Sequence, residues 1–231
     1  MIPLKDENPS STIPFVNIFL ILSNISIFIY LNYFVPGETN QFFLKLGFIP
    51  FELTHFKDIG PENFVPVPLT IFTAMFIHGG WIHLLSNMLY LWIFGDNVED
   101  LLGHVKYLFF YLTCGIAATV LHFFINPASK VPTVGASGAI AGVLGAYLFL
   151  FPKARIKTLL ILFIFIYIIS IPAIIMLGLW IIMQILSGYL EYGSKTGAGI
   201  AWFAHIGGFA AGLVLIILMK KRKKRPYLKK T

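Results

Sequence analysis

Residues 135–146 read GASGAIAGVLGA, an apolar run built mostly from glycine and alanine. In a helix, Gly138, Gly142 and Ala146 would lie on one face, because residues four apart along a helix are neighbours. Small residues at this spacing let a second helix approach closely within a membrane. Ser137 is the one polar side chain of the run. The run therefore predicts a tightly packed helix with a hydroxyl group at its N-terminal end.

The chain as a whole is also strongly apolar. Of its 231 residues 58% are hydrophobic and only 12% are charged. A soluble domain has roughly 25% charged residues, so this chain could not cover a surface that faces water. The composition predicts an integral membrane protein.

A membrane-spanning helix needs about 20 mostly apolar residues. Six segments are candidates: Ile13–Val35, Leu69–Gly95, Val105–Ile125, Gly135–Phe151, Thr158–Leu186 and Ile200–Met219. No internal repeat or low-complexity linker separates them. We therefore predict an all-α polytopic membrane protein, with one core of six transmembrane helices over residues 13–219. Residues 1–12 would form a short N-terminal segment and residues 220–231 a basic tail.

The basic residues indicate how the chain is oriented. If the N-terminus is cytoplasmic, thirteen of the 17 lysine and arginine residues fall on the cytoplasmic side. This excess predicts that both termini are cytoplasmic. The basic tail directly follows an apolar segment, which is typical of an anchor for anionic lipid headgroups. No aromatic residues alternate with the basic ones, so we expect no nucleic-acid partner.

Polar groups within a membrane are costly and often functional, and Ser137 is the first candidate. Gly135 and Gly138 remove side-chain bulk on both sides of its hydroxyl group. The unpaired amides at a helix N-terminus can stabilise a developing negative charge on oxygen. The alternative is that Ser137 is only a polar residue beside a helix-packing face.

His205 is the second candidate, near the start of the sixth segment. Gly208 and Gly212 form a second small-residue seam, and His205 lies three residues before Gly208, on the same face. Ser137 and His205 are predicted at similar depths, as a nucleophile and its general base must be. Alternatively, His205 is a structural hydrogen-bond donor.

The third candidate group starts the second segment, where residues 78–87 read HGGWIHLLSN. His83 and Asn87 are four residues apart and project from one helical face. Their ring N–H and amide groups are the donors that an oxyanion hole requires. They could instead be polar contacts between helices. The histidines lack an H-E-x-x-H motif and an accompanying carboxylate, so we predict no metal site and no cofactor.

Together these motifs resemble the rhomboid family. The matching features are G-A-S-G at 135–138, A-H-x-x-G-x-x-x-G at 204–212, H-x-x-x-x-H-x-x-x-N at 78–87, and the turn expected at 95–100. The resemblance implies an intramembrane serine endopeptidase that cleaves single-span or polytopic membrane proteins. Ser137 would attack the scissile carbonyl group and His205 would accept its proton. The implied oxyanion donors are His83, Asn87 and the Ser137 amide, below a water-filled cavity.

Two features depart from the family pattern. Some members have a tyrosine four residues after the serine, on which the histidine stacks, whereas this chain has Ala141. What would orient His205 is therefore open. Some members also have a Trp-Arg pair in the first outer loop, and none occurs between Pro36 and Pro68.

The main alternative is a non-catalytic rhomboid relative that binds membrane proteins and passes them on. Such relatives usually lack the serine, the histidine or both, and this chain retains both. A transporter is disfavoured because paired broken helices and inverted symmetry are absent from the sequence. The six-segment core suggests the plasma membrane of a prokaryote.

Overall fold

The computed structural model describes residues 1–35, 39–60, 64–162, 165–192 and 200–220. Six helices of at least 14 residues make up most of these residues. They are α1 (Phe15–Ile29), α5 (Trp81–Leu102), α6 (His104–Ile125), α7 (Ser137–Leu150), α8 (Ala173–Glu191) and α9 (Trp202–Met219). The shorter helices are a π-helical continuation of α1 (Tyr30–Phe34), α2 (Thr39–Leu46), α3 (Pro50–His55), α4 (Thr70–Thr73) and two 3₁₀ turns flanking α4 (Val67–Leu69, Ala74–Phe76). The strands are β1 (Ile2–Asp6), β2 (Arg155–Leu162) and β3 (Phe165–Pro172).

The long helices have the character of membrane spans. Within the described residues, four are long and apolar enough to cross a membrane: Phe15–Phe34, His104–Ile125, Ala173–Glu191 and Trp202–Met219. The pair Val67–Phe76 and Trp81–Leu102 would make a fifth span, although it is bent by 81° at a break. The protein is thus a mostly helical, polytopic membrane protein. Helix α7 is apolar too but shorter, at 14 residues.

The prediction of an all-α fold is confirmed only in its coarser part, because the mostly helical structure also contains a small sheet. Strands β1, β2 and β3 form an antiparallel sheet in that order, and the predicted fifth span, Thr158–Leu186, is half strand and half helix. Its first part lies in the β2–β3 hairpin, in which Thr158 pairs with Ile169. The segment is rich in isoleucine, whose branched side chain favours strands, and periodicity alone does not separate a short apolar strand from a helix. Pro172 ends β3, and α8 begins at Ala173.

The second predicted span, Leu69–Gly95, is corrected both within the segment and at its C-terminal end. Residues 77–80 interrupt it, and the turn expected at 95–100 is instead helical, because α5 continues to Leu102. Glu99 is buried and accepts hydrogen bonds from the backbone amides of Val16 and Asn17, at 3.0 and 2.7 Å. These amides belong to the first turn of α1, where no partner exists within the helix. Glu99 therefore caps α1 rather than forming part of a turn.

Helix α7 lies at the centre of the bundle. All ten residues from Gly138 to Tyr147 are buried, and α5, α6 and α9 surround it. At its C-terminal end, the Tyr147 hydroxyl donates a hydrogen bond of 2.7 Å to Asp6 of β1. Burial raises the pKa of Asp6 to about 6. The predicted N-terminal segment, residues 1–12, therefore contains strand β1, which is hydrogen-bonded to the central helix. Residues 221–231 of the predicted basic tail lie outside the described residues.

Candidate active site

Helices α7 and α9 touch backbone to backbone. A Cβ atom built on Gly208 would lie 1.9 Å from the carbonyl oxygen of Gly138, and one built on Gly212 would lie 1.9 Å from that of Gly142. Both distances are far shorter than any contact a real Cβ atom makes, so only glycine fits at either position. A Cβ atom on Gly138 would instead meet the Ala118 side chain of α6, at 2.7 Å. Gly208 and Gly212 thus lie at the α7–α9 contact, and Gly138 contacts both α9, through its carbonyl oxygen, and α6.

Gly135, the fourth glycine predicted for the seam, lies elsewhere. It precedes α7, has a φ of +118°, and a Cβ atom there would lie 2.7 Å from Nε2 of His83 on α5. Its positive φ and this close approach both favour glycine. Gly135 therefore shapes the site beside Ser137 rather than the α7–α9 contact.

The seam brings Ser137 and His205 together. Ser137 is the first residue of α7, His205 lies in the first turn of α9, and Nε2 of His205 is 2.8 Å from Oγ of Ser137. This is the distance of a good hydrogen bond. An imidazole nitrogen at this position can accept the hydroxyl proton when the serine oxygen attacks an electrophile.

The other ring nitrogen of His205 has a partner on α8. Nδ1 lies 2.7 Å from Oε1 of Gln184, and Nε2 of the same amide donates to the carbonyl oxygen of Trp180, at 3.4 Å. An amide oxygen can only accept, so Nδ1 of His205 must be the donor. In the neutral ring this leaves Nε2 as the acceptor that faces Ser137.

Two tryptophan rings surround the histidine. The Trp180 ring lies 5.9 Å from that of His205, at an interplanar angle of 36°, and the Trp202 ring lies edge-on at 6.3 Å. Ala141 has no ring on which His205 could stack, and Trp180 and Gln184 are the residues that contact the histidine ring instead. Sequence reasoning missed both residues, although Gln184 is an uncharged polar residue within an apolar helix and such residues are functional candidates.

His83 and Asn87 lie beside the same serine. The Gly79 amide lies 3.4 Å from Nδ1 of His83, an arrangement that leaves the ring hydrogen on Nε2. The side-chain nitrogen of Asn87 is buried and has no partner among the described residues. A Cβ atom on Gly135 would lie 2.7 Å from Nε2 of His83 and 3.6 Å from that nitrogen. The donor nitrogens of His83 and Asn87 thus lie close together beside Gly135, which is two residues before Ser137 in the chain.

These residues line a cavity of about 1190 Å³. Ser137, His205, His83 and Asn87 all contribute to its wall, as does Gln184. Typical small-molecule pockets are about 300–1,000 Å³, so the cavity can hold a peptide segment together with water. Among the described residues, no group of three or more histidine, cysteine or acidic side chains could hold a metal ion.

A partly buried serine–histidine pair lies beside a large cavity within a bundle of apolar helices, so the chain is a polytopic membrane protein with a candidate active site. The Rhomboid domain model matches residues 67–222, which is more than half of the chain. The chain belongs to the rhomboid family, as the sequence motifs predicted.

Three similar proteins with rhomboid names agree with this assignment. Rhomboid protein 1, mitochondrial, from Saccharomyces cerevisiae is 28% identical over 162 residues, which cover 66% of this chain and 42% of that protein. Rhomboid-like protein 11, chloroplastic, from Arabidopsis thaliana is 27% identical over 180 residues, or 74% of this chain and 59% of that protein. The putative rhomboid protease YdcA from Bacillus subtilis is 29% identical over 164 residues, which cover 68% of this chain and 70% of that protein. The chain thus spans about half the length of the first two relatives.

Proposed function

We propose that this protein is an intramembrane serine endopeptidase that hydrolyses peptide bonds in or near the transmembrane segments of other membrane proteins. The observation that carries the proposal is the 2.8 Å contact between Nε2 of His205 and Oγ of Ser137 at the wall of a large cavity. Membership of a family whose relatives include named proteases supports the same reaction.

In the first half of the reaction Oγ of Ser137 attacks the scissile carbonyl carbon while Nε2 of His205 accepts its proton. The tetrahedral intermediate collapses, the C–N bond breaks, and His205 returns the proton to the leaving amine. This leaves an acyl group on Ser137. In the second half His205 removes a proton from a water molecule, which attacks the ester carbon. The bond between that carbon and Oγ then breaks, and His205 returns the proton to Oγ of Ser137 as the second product leaves. The cavity gives that water access to the serine.

The negative oxygen of the tetrahedral intermediates needs donors that are in position before the reaction begins. We assign this role to Nε2 of His83, the side-chain nitrogen of Asn87 and the backbone amide of Ser137. The Asn87 nitrogen is buried without a partner among the described residues, as a donor reserved for substrate would be. The Ser137 amide belongs to the first turn of α7, where amides have no partner within the helix.

Gln184 is proposed as a positioning residue. Its amide oxygen accepts from Nδ1 of His205, which holds the ring in the tautomer whose Nε2 can accept the serine proton. An aspartate does this in the familiar serine protease triad. A neutral amide orients the ring without placing a charge in an apolar helix, where a carboxylate would be costly.

The proposed topology has six spans and two cytoplasmic termini. It counts α1, α5 with the bent segment before it, α6, α7, α8 and α9. The 14 residues of α7 extend about 21 Å, less than the roughly 30 Å of the hydrocarbon layer, so Ser137 would lie below the membrane surface. Membrane proteins are the proposed substrates and anionic headgroups the proposed contact of the basic tail. The prokaryotic plasma membrane remains a prediction, since relatives include mitochondrial, chloroplastic and bacterial proteins.

Cleavage of a single-span test substrate by the purified protein in detergent tests the proposal. We expect Ser137→Ala and His205→Ala each to abolish cleavage, because residues that act as one unit lose nearly all activity together. Ser86→Ala is the matched control, since Ser86 lines the same cavity but its hydroxyl bonds to the carbonyl group of His83 in its own helix. EDTA should leave the wild type active.

Undiminished cleavage by either mutant would refute the Ser–His mechanism. A wild type that retains the substrate on a column without cleaving it would favour the non-catalytic, membrane-protein-binding alternative.

A further inference from the structure

The β2–β3 hairpin exposes an unusually apolar surface. All six residues of β3 from Phe165 to Ser170 are exposed, including 68% of Ile166 and 65% of Ile168. Successive residues of a strand point to opposite faces, so this part of β3 exposes apolar side chains on both. An apolar strand of this kind would aggregate in water, and a different environment must cover it.

The two ends of the hairpin determine where it lies. It follows α7, which ends at Leu150, and it leads directly into α8, which begins at Ala173. The hairpin therefore lies at the end of α7 opposite Ser137, where two apolar helices reach the same side of the bundle. In a membrane protein this is the level at which helices leave the lipid.

Charge and hydrophobicity are graded along the hairpin. Lys153, Arg155 and Lys157 are exposed at its base, and Lys157 pairs with Lys5 of β1. From residue 158 to the end of β3 there is no charged residue. Basic groups at one end and large apolar groups at the other are typical of elements that lie in the membrane interface.

The backbone of β3 limits how deep the hairpin can go. Within the described residues, the sheet order is β1-β2-β3, so β3 is an edge strand whose outer N–H and C=O groups have no strand partner. Unpaired backbone groups are not tolerated in the hydrocarbon core, but water and headgroups can satisfy them in the interfacial region. The boundary between headgroups and acyl chains meets both the apolar and the polar requirement.

We propose that the β2–β3 hairpin is a lipid-binding element that inserts the exposed apolar side chains of β3, from Phe165 to Ile169, into the leaflet on the side of the α7 C-terminus. Lys153, Arg155 and Lys157 bind anionic headgroups there. The opposite face of β2 stays with the protein, because Ile156 and Thr158 are buried. The proposal depends on the membrane location of the protein and not on its catalytic activity.

Nitroxide labels on the full chain in lipid vesicles measure the depth of the hairpin. Cys114 is the only cysteine and is buried, so a Cys114→Ala background allows single cysteines at Ile166, Ile168 and Ser170. These three positions alternate along one face of β3. Val214, exposed in the middle of α9, is the control for a label within the lipid.

We expect collisions with oxygen to exceed those with a water-soluble nickel chelate at Ile166 and Ile168, with the excess falling toward Ser170. Ile166 and Ser170 are at most about 14 Å apart along the strand, so the depth difference must be smaller than that. Val214 should give the largest excess of oxygen collisions. Nickel access at Ile166 and Ile168 equal to that of a label in water would overturn the proposal.

Two further results separate lipid from other occupants. Vesicles containing phosphatidylglycerol should hold the labels deeper than pure phosphatidylcholine, and replacing Lys153, Arg155 and Lys157 with glutamine should remove that difference. An unchanged lipid dependence would refute the headgroup contact. Short distances between Ile168 labels on two copies, measured by pulsed electron resonance, would show β3 edges pairing and would overturn the proposal in favour of a dimer.

Discussion

Helices α7 and α8 both contribute to the site, but they are held in opposite ways. Helix α7 is buried over ten consecutive residues and meets α9 at the backbone, through Gly208 and Gly212. Helix α8 buries only five of its 19 residues and reaches His205 with the side chains of Trp180 and Gln184. We infer two separate tasks from this comparison: the glycine seam sets the distance between Ser137 and His205, and α8 sets the orientation of the histidine ring.

The largest effect is expected from the seam. Gly208→Leu places a side chain where a Cβ atom alone would lie 1.9 Å from backbone, so α7 and α9 must separate. A displacement of about 1 Å at a reacting pair can cost on the order of 10²-fold in rate. We expect at least that loss in cleavage rate, measured beside thermal stability in the same detergent. Gly178→Ala is the control, since a Cβ atom at Gly178 meets nothing within 4 Å.

Gly212→Val tests the same seam one turn deeper, and we expect it to act mainly on thermal stability. Near-normal cleavage by Gly208→Leu would mean that the close approach of the two helices does not set the serine–histidine distance.

Loss of the proposed oxyanion donors should have the second-largest effect on the cleavage rate. Losing one donor that acts in the transition state typically costs on the order of 10²-fold in rate. With three donors present, we expect smaller losses for Asn87→Ala and His83→Ala alone and about that loss for the double mutant. The loss should be in kcat more than in KM. A double mutant with the kcat of the wild type would assign these residues to helix packing.

Gln184 should have a smaller effect, about tenfold, because an unoriented ring still samples the productive geometry. Gln184→Leu removes the acceptor for Nδ1 of His205, whereas Gln184→Glu retains an oxygen there. We expect kcat to fall in the first variant, with KM unchanged, and to recover at least partly in the second. Equal losses in both variants would point to a packing role for this residue.

The smallest effect on cleavage is expected at the opposite end of α7, where β1 is attached. Burial raises the pKa of Asp6 from 3.8 to about 6, so the folded protein binds the proton more tightly than the unfolded chain. Stability should therefore fall as the pH rises from about 4 and level off above about 7, by up to about 3 kcal/mol for a shift of this size. The thermal stability of Asp6→Asn should not show this fall with rising pH, and the variant should still cleave the substrate. An identical pH dependence of thermal stability in the wild type and in Asp6→Asn would contradict the assignment of this effect to Asp6.

The sequence revealed the parts of the site that carry local motifs. Ser137 and His205 each stand beside glycines at helical spacing, so their faces and depths could be predicted separately. Gln184 has no such motif, and its contact with His205 depends on how α8 crosses α9. The β2–β3 hairpin was missed because an isoleucine-rich run is apolar enough for a span, and its strand pairing with residues 2–6 joins segments about 150 residues apart.

The most direct test of the central claim is to label the protein with a fluorophosphonate and identify the modified residue by mass spectrometry. Such reagents react with a serine only when a base activates it and donors stabilise the new oxygen charge. We predict a single modified residue, Ser137, in the wild type and a loss of the label in His205→Ala, with thermal stability checked in both. A label on another residue, or equal labelling of Ser137 without His205, would contradict the proposed serine–histidine mechanism.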